Sequence, residues 1–86
     1  MKISFHRRFD KQFTKLPAPI KKKVIFAIEK FSLDPFDFSL RNHPLHGKLV
    51  GKRAFSVTGD IRIIFEEWEG YTLVLFLGMG THSQVY

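Results

Sequence analysis

From residue 53 onward, apolar and polar residues alternate along the chain, and two short turn signals cut that run into three. Arg53 to Thr58 alternates, Gly59-Asp60 reads as a two-residue turn, and Ile61 to Trp68 alternates again. Gly in first place followed by another residue is the signature of a type II′ hairpin. Glu69-Gly70 turns the chain once more, and Tyr71 to Leu77 makes a last strand, ended by Gly78 and Gly80. A sheet built this way has one apolar face and must bury it against another layer. The first half of the chain supplies that layer. After a short strand around Ile3 and Phe5, Phe9, Phe13 and Leu16 recur at helical spacing, ended by Pro17 and Pro19. Pro19 suits the first turn of a second helix, whose buried face is Ile20, Val24, Ala27, Ile28 and Phe31. Lys21, Lys22, Lys23 and Lys30 point outward, and Leu33-Asp34-Pro35 stops the helix. The order β-α-α-β-β-β predicts an α+β fold, with two N-terminal helices packed on one face of a small antiparallel sheet. Residues 35 to 50, rich in Pro, Asn, His and Gly, read as an irregular connection of the length often reserved for function.

The 86 residues make one domain, 1–86. So short a chain needs a dense core, and a hydrophobic fraction of 44% that includes ten Phe provides one. The absence of cysteine excludes disulfides, thiolate metal sites and thiol nucleophiles. Met1 to Arg8 lacks the apolar core of a secretory signal, and no segment approaches the roughly 18 apolar residues of a membrane span. A soluble, cytoplasmic protein with no membrane partner is the expectation. The net charge of +6 favours anionic partners, whether nucleic acid, an acidic protein or an acidic membrane surface, so the placement of the charge has to decide.

A two-residue turn at Gly59-Asp60 would pair Thr58 with Ile61, Val57 with Arg62 and Phe55 with Ile64. Ile61, Ile63 and Phe65 would then lie under the helices with Ala54, Ser56 and Thr58. Arg53, Arg62 and Glu66 would share the other face with Phe55, Val57 and Ile64. Two arginines among apolar residues make a floor for a phosphate-bearing ligand, unless Arg53 and Glu66 merely pair across a solvated surface.

Few residues here suit a metal. His43 and His46 lie three apart, with no carboxylate beside them in the loop, and only a set of His43, Asp60 and His82 is conceivable. Gly47 to Lys52 lacks the full phosphate-loop pattern. RNA cleavage needs less, because the 2′-hydroxyl of the substrate is itself the nucleophile. The protein must take that proton, stabilise the phosphorane and protonate the leaving 5′-oxygen. Histidine, with an unperturbed pKa near 6.5, suits the proton transfers, and Arg or Lys suits the charge. His43, His46, His82, Asp60, Lys48, Lys52, Arg53 and Arg62 suffice for this chemistry, with no metal and no cofactor.

Three segments carry a resemblance. Asn42-His43-Pro44-Leu45-His46-Gly47 with Gly51-Lys52-Arg53 resembles the stretch before the first hairpin strand of YafQ-like toxins. Gly59-Asp60-Ile61-Arg62-Ile63-Ile64-Phe65 is similar to the hairpin of the RelE superfamily, and Leu77 to Tyr86 resembles the YafQ-type Gly-Thr-His-Ser ending closed by an aromatic residue. The resemblance implies a RelE-like fold and a toxin of a type II toxin–antitoxin system. It implies a metal-independent endoribonuclease that cleaves mRNA on the ribosome, and an acidic antitoxin that covers the active surface in a hetero-oligomer. By position, His82 falls on the catalytic C-terminal histidine and takes the role of general acid. His43 and Asp60 are the candidates for the base or its orienting group. Arg62 would stabilise the phosphorane, Tyr86 would stack on a base, and His46, Lys48, Lys52 and Arg53 would bind RNA.

The chain departs from the YafQ pattern at Ser56, where those toxins often have histidine, and at Ile61, where they tend to have tryptophan. Two other readings therefore stand beside the nuclease. One is a catalytically degenerate member that binds an antitoxin within a repressor complex; the other is a generic basic RNA-binding domain. Turn preference alone also accounts for Asp60, and loop shape for His43 and His46. His6 has no catalytic role in this reading. The Lys21–Lys23 run is a solvated helix face that could touch ribosomal RNA.

Overall fold

The computed structural model describes residues 1–85. Its elements are β1 (Lys2–Phe5), α1 (Arg7–Thr14), α2 (Ala18–Leu33), β2 (His43–Pro44), β3 (Arg53–Ser56), β4 (Ile61–Trp68), β5 (Leu73–Thr81) and a last turn of helix, α3 (His82–Val85). The five strands form one sheet in the order β1-β5-β4-β3-β2. β1 runs parallel to β5, and the other pairs are antiparallel. The expected α+β arrangement therefore holds, with one parallel edge and one added strand. That strand belongs to the stretch read as irregular: residues 35 to 50 contain β2 and two 3₁₀ turns, Phe38–Leu40 and Gly47–Leu49.

Local signals start and stop the helices. His6 caps α1, its Nδ1 accepting from the Arg8 amide at 3.0 Å. Pro19 sits in the first turn of α2, and the helix ends before Pro35. The buried face of α2 is Val24, Ala27 and Phe31, with Ile20 and Ile28 at its margin. Phe31 contributes the central ring of the core. It stacks on Phe55 of β3 at 4.5 Å and meets Phe65 of β4 and Phe76 of β5 edge-on at 5.0 and 5.6 Å. All four rings are fully buried. One helix side chain thus ties three strands together through offset and edge contacts that aromatic rings favour.

The hairpin differs from the sequence expectation by one residue. The Thr58 Oγ1 accepts from the amides of Asp60 and Ile61 at 3.2 and 2.9 Å, and the Val57 amide donates to the Ile61 carbonyl at 2.9 Å. The turn is therefore three residues, Thr58 to Asp60, and Phe55 faces Ile63 while Ser56 faces Arg62. A one-residue slip exchanges the faces of one strand relative to the other. Phe55, Ile63 and Phe65 lie beneath the helices, and Ser56, Arg62 and Ile64 lie on the open face. The expected sharing of a face by Arg53 and Arg62 is overturned, since Arg53 faces Phe65. The proposed Arg53–Glu66 pair is replaced by Lys52 with Glu66 at 3.8 Å.

β5 also runs further than expected, through Gly78 and Gly80 to Thr81. Ile64 faces Gly78 and Phe65 faces Phe76, so Leu77 is an extra residue and the strand bulges there. Gly78 permits close packing rather than breaking the strand, because a Cβ there would lie 3.0 Å from Gln12 Oε1. On the open face, Leu45 packs over Ala54 with Leu49 and Ile64, so the segment around β2 covers the end of that face remote from the hairpin.

Truncation should separate core from surface on α2. Phe31→Ala is expected to cost about 3–5 kcal/mol, and Phe26→Ala, whose ring is 63% exposed, less than about 0.5 kcal/mol. Urea denaturation of the two variants measures both.

Candidate functional site

At the hairpin end of the open face lies Arg62, the one buried charged residue among the described residues at 8% exposure. A buried guanidinium requires hydrogen bonds to offset lost hydration. Its Nη1 donates to the carbonyls of Thr58 at 2.8 Å and Ile61 at 3.4 Å, so the turn that sets the register also fixes the cation. Its Nη2 lies 3.5 Å from His82 Nδ1. Ser56 stands opposite on β3.

His82 reaches this place through two devices. The first is a capping box over Thr81-His82-Ser83-Gln84. The Gln84 amide donates to Thr81 Oγ1 at 3.3 Å, and the Thr81 amide donates to Gln84 Oε1 at 2.8 Å. The residues after β5 are therefore a capped turn of helix with His82 in its first position. The second device holds the strand before it. β1 ends at Phe5 opposite Phe76, leaving the outer edge of β5 beyond that point without a strand. There Gln12 of α1 takes the place of one rung, accepting from the Met79 amide at 2.7 Å and donating to the Met79 carbonyl at 2.9 Å. Asp60 completes the group, its Oδ1 accepting from the His82 amide at 3.3 Å.

At Nδ1 the two histidines meet different kinds of partner. At His82 the neighbour of Nδ1 is the Arg62 guanidinium, a group that only donates. The Arg41 carbonyl only accepts, and it lies 2.6 Å from His43 Nδ1. In that contact the His43 ring donates from Nδ1.

The structure thus brings Asp60, Arg62 and His82 together. His43 lies on the same face, opposite Ala54 of β3, two strand spacings from β4, or about 10 Å. His46 and Lys48 are exposed around the 3₁₀ turn Gly47–Leu49, and Lys52 is held by Glu66. Arg53 belongs elsewhere. Its Nε donates to Asn42 Oδ1 at 2.9 Å, its guanidinium lies over the Phe36 ring, and Asn42 in turn donates to the Tyr71 hydroxyl. It secures the loop on the helix side of the sheet, away from Arg62. Tyr86, the expected stacking residue, lies outside the described residues. No three His, Cys, Asp or Glu side chains are grouped to hold a metal among the described residues, so His43, Asp60 and His82 do not form the conceivable metal set. Sequence reasoning missed Gln12, whose partner is 67 residues away. It also missed the capping box, although Thr81 and Gln84 have the spacing that announces one.

No protein-family model matches the chain, and no curated protein does. Solved structures do. A YoeB/ParE toxin from Agrobacterium tumefaciens superposes with a TM-score of 0.76 at 16% identity, over 95% of this chain and 99% of the other. The chain has the RelE-like toxin fold. The toxin–antitoxin complex RelBE2 from Mycobacterium tuberculosis gives a TM-score of 0.74 at 23% identity, over 94% and 96% of the two chains. YafQ from Escherichia coli gives 0.66 at 21% identity, over 99% and 97%. The RelE-like fold thus accounts for almost every residue of both chains in each case.

If Gln12 stands in for a missing strand, Gln12→Ala should free the Met79 amide. Hydrogen exchange is expected to accelerate at Met79 and the residues leading to His82, while the β3–β4 hairpin amides keep their protection. Uniform acceleration across the sheet would show instead that Gln12 serves global stability.

Proposed function

We propose that this chain is the toxin of a toxin–antitoxin pair and an endoribonuclease that cuts mRNA at the site formed by Arg62, His82 and His43. The observation that carries the reading is a buried guanidinium, held by two carbonyls of its own hairpin, 3.5 Å from a histidine. In the reaction His43 Nε2 removes the proton of the 2′-hydroxyl, and the 2′-oxygen attacks the adjacent phosphorus. Arg62 stabilises the negative charge of the phosphorane, a contribution that is large when the cation is already in place. The P–O5′ bond breaks as His82, entering the step as the imidazolium, donates its Nε2 proton to the departing oxygen and is left as the neutral imidazole. The products are a 2′,3′-cyclic phosphate and a 5′-hydroxyl. Asp60 orients His82 through its backbone amide.

The basic surface favours mRNA, in the setting of the ribosome, as substrate, and an acidic antitoxin as the partner that occludes the site. The similar structures include toxin–antitoxin complexes, among them RelBE2 and a YoeB–YefM complex from Staphylococcus aureus. No described helix is long and apolar enough to cross a membrane, in keeping with a toxin acting in the cytoplasm.

Expression of the chain in bacteria, followed by mapping of message 5′ ends, tests the reading. New ends in translated messages are expected with the wild type. His82→Gln should lower cleavage by roughly 10²–10⁴-fold, the usual worth of a positioned acid. Arg62→Ala should lower it by about 10²–10³-fold. Undiminished cleavage by His82→Gln would remove that residue from the mechanism.

Ser56 favours a second reading. It stands directly opposite Arg62, where a further proton-transfer group would reach the same phosphate, and its hydroxyl offers little acid–base capacity at neutral pH. A degenerate toxin that binds its antitoxin without cutting fits that substitution. Ser56→His discriminates between the readings. A nuclease should gain a modest further rate, whereas a degenerate toxin would cut only as the variant.

A further inference from the structure

The lysine run of α2 has no part in the site described above, yet it lines a groove that reaches it. Lys22, Lys23, Phe26 and Lys30 form one wall of a cleft of about 310 Å³, and Ser56 and Val57 of the hairpin form part of the other. The four helix residues fall at the three- and four-residue spacings that place side chains on one stripe. The stripe is turned away from the core face of Val24, Ala27 and Phe31, and Phe26 is 63% exposed. Lys30 is fixed by a bond from Nζ to Ser39 Oγ at 2.9 Å and lies 5.0 Å from the centre of the Phe26 ring. Lys22 and Lys23 are exposed. On the far wall, Ser56 is the residue paired with Arg62 across the hairpin.

We infer that this groove is a second RNA subsite, in which one unpaired base stacks on Phe26 while flanking phosphates of the same strand meet Lys22 and Lys23. The inference rests on the RNA-cleaving reading and extends it. An aromatic surface set among cations matches the repeat of flat base and charged phosphate in single-stranded RNA. Stacking tolerates any base, since every base has a π-face, so the groove supplies affinity and register rather than sequence choice. A strand whose scissile phosphate lies at Arg62 enters the groove over Ser56. Placement at one end of the strand keeps the 2′-hydroxyl and the leaving oxygen aligned between His43 and His82.

The test is fluorescence anisotropy with a short, fully 2′-O-methylated RNA, which lacks the attacking hydroxyl and stays intact. Phe26→Ala should weaken binding about tenfold, within the range for loss of one stacked base, and Phe26→Tyr should restore it. Replacing Lys22 and Lys23 by Ser should lower the slope of log affinity against log salt by about 1.4. Thermal unfolding of the variants should match the wild type, because these side chains are exposed. If Phe26→Ala binds like the wild type while Arg62→Ala binds weakly, the subsite is wrong and the RNA-cleaving site stands. If Phe26→Tyr fails to restore binding, ring stacking is overturned. If the wild type binds no RNA at low salt, the RNA reading falls and the subsite with it.

Discussion

The hydroxyl of Thr58 accepts from two successive backbone amides, and the rest of the sheet depends on the turn it closes. A three-residue turn sets Phe55 against Ile63 beneath the helices, where Phe31 can stack on it. The same register turns Arg62 to the opposite face. The carbonyl of Thr58 then receives the guanidinium, so one residue closes the turn and anchors the buried cation. Shifted by one, the hairpin would set Phe55 and Arg62 on the same face, so that either the ring would be exposed or the guanidinium driven under the helices. Both the core and the site therefore select this register.

The second half of the site arrives on β5, and its delivery is a matter of edges. β1 covers that strand only as far as Phe76, and the bulge at Leu77 changes its phase just beyond. An unpaired edge at this point would leave the last strand residues poorly held. The side-chain amide of Gln12 supplies both partners that a strand would have offered Met79, and the missing side chain at Gly78 lets α1 come close enough. The capping box then converts the strand directly into a helical turn that begins with His82. The imidazole is thereby referenced to α1 through Gln12 and to the hairpin through Asp60.

Much of this was legible in the residues. The helical stripe of Val24, Ala27 and Phe31 and the alternation of Ile61 to Trp68 name elements that the structure contains, and Asp60, Arg62 and His82 do meet. The errors have specific physical origins. Gly59-Asp60 is a strong two-residue turn signal, but it competes with a threonine hydroxyl placed to satisfy two amides, and the competition is decided by burial of Phe55. That single residue of register misplaced Arg53, which holds Asn42 instead of facing a phosphate. Gly78 and Gly80 looked like strand breakers because local propensity cannot see that a helix packs against one of them. Gln12 could not have been found, since nothing local distinguishes a glutamine that pairs with a strand from one that meets water.

In the proposed reaction the substrate's own 2′-hydroxyl is the nucleophile, activated at His43, with Arg62 and His82 completing the cleavage. The chemistry of the RNA ends tests it most directly. Purified protein incubated with message, and with translating ribosomes, should leave a 2′,3′-cyclic phosphate on the upstream fragment and a 5′-hydroxyl on the downstream one. A 5′-phosphate opposite a 3′-hydroxyl would mean that water is the attacking group, and would contradict the account.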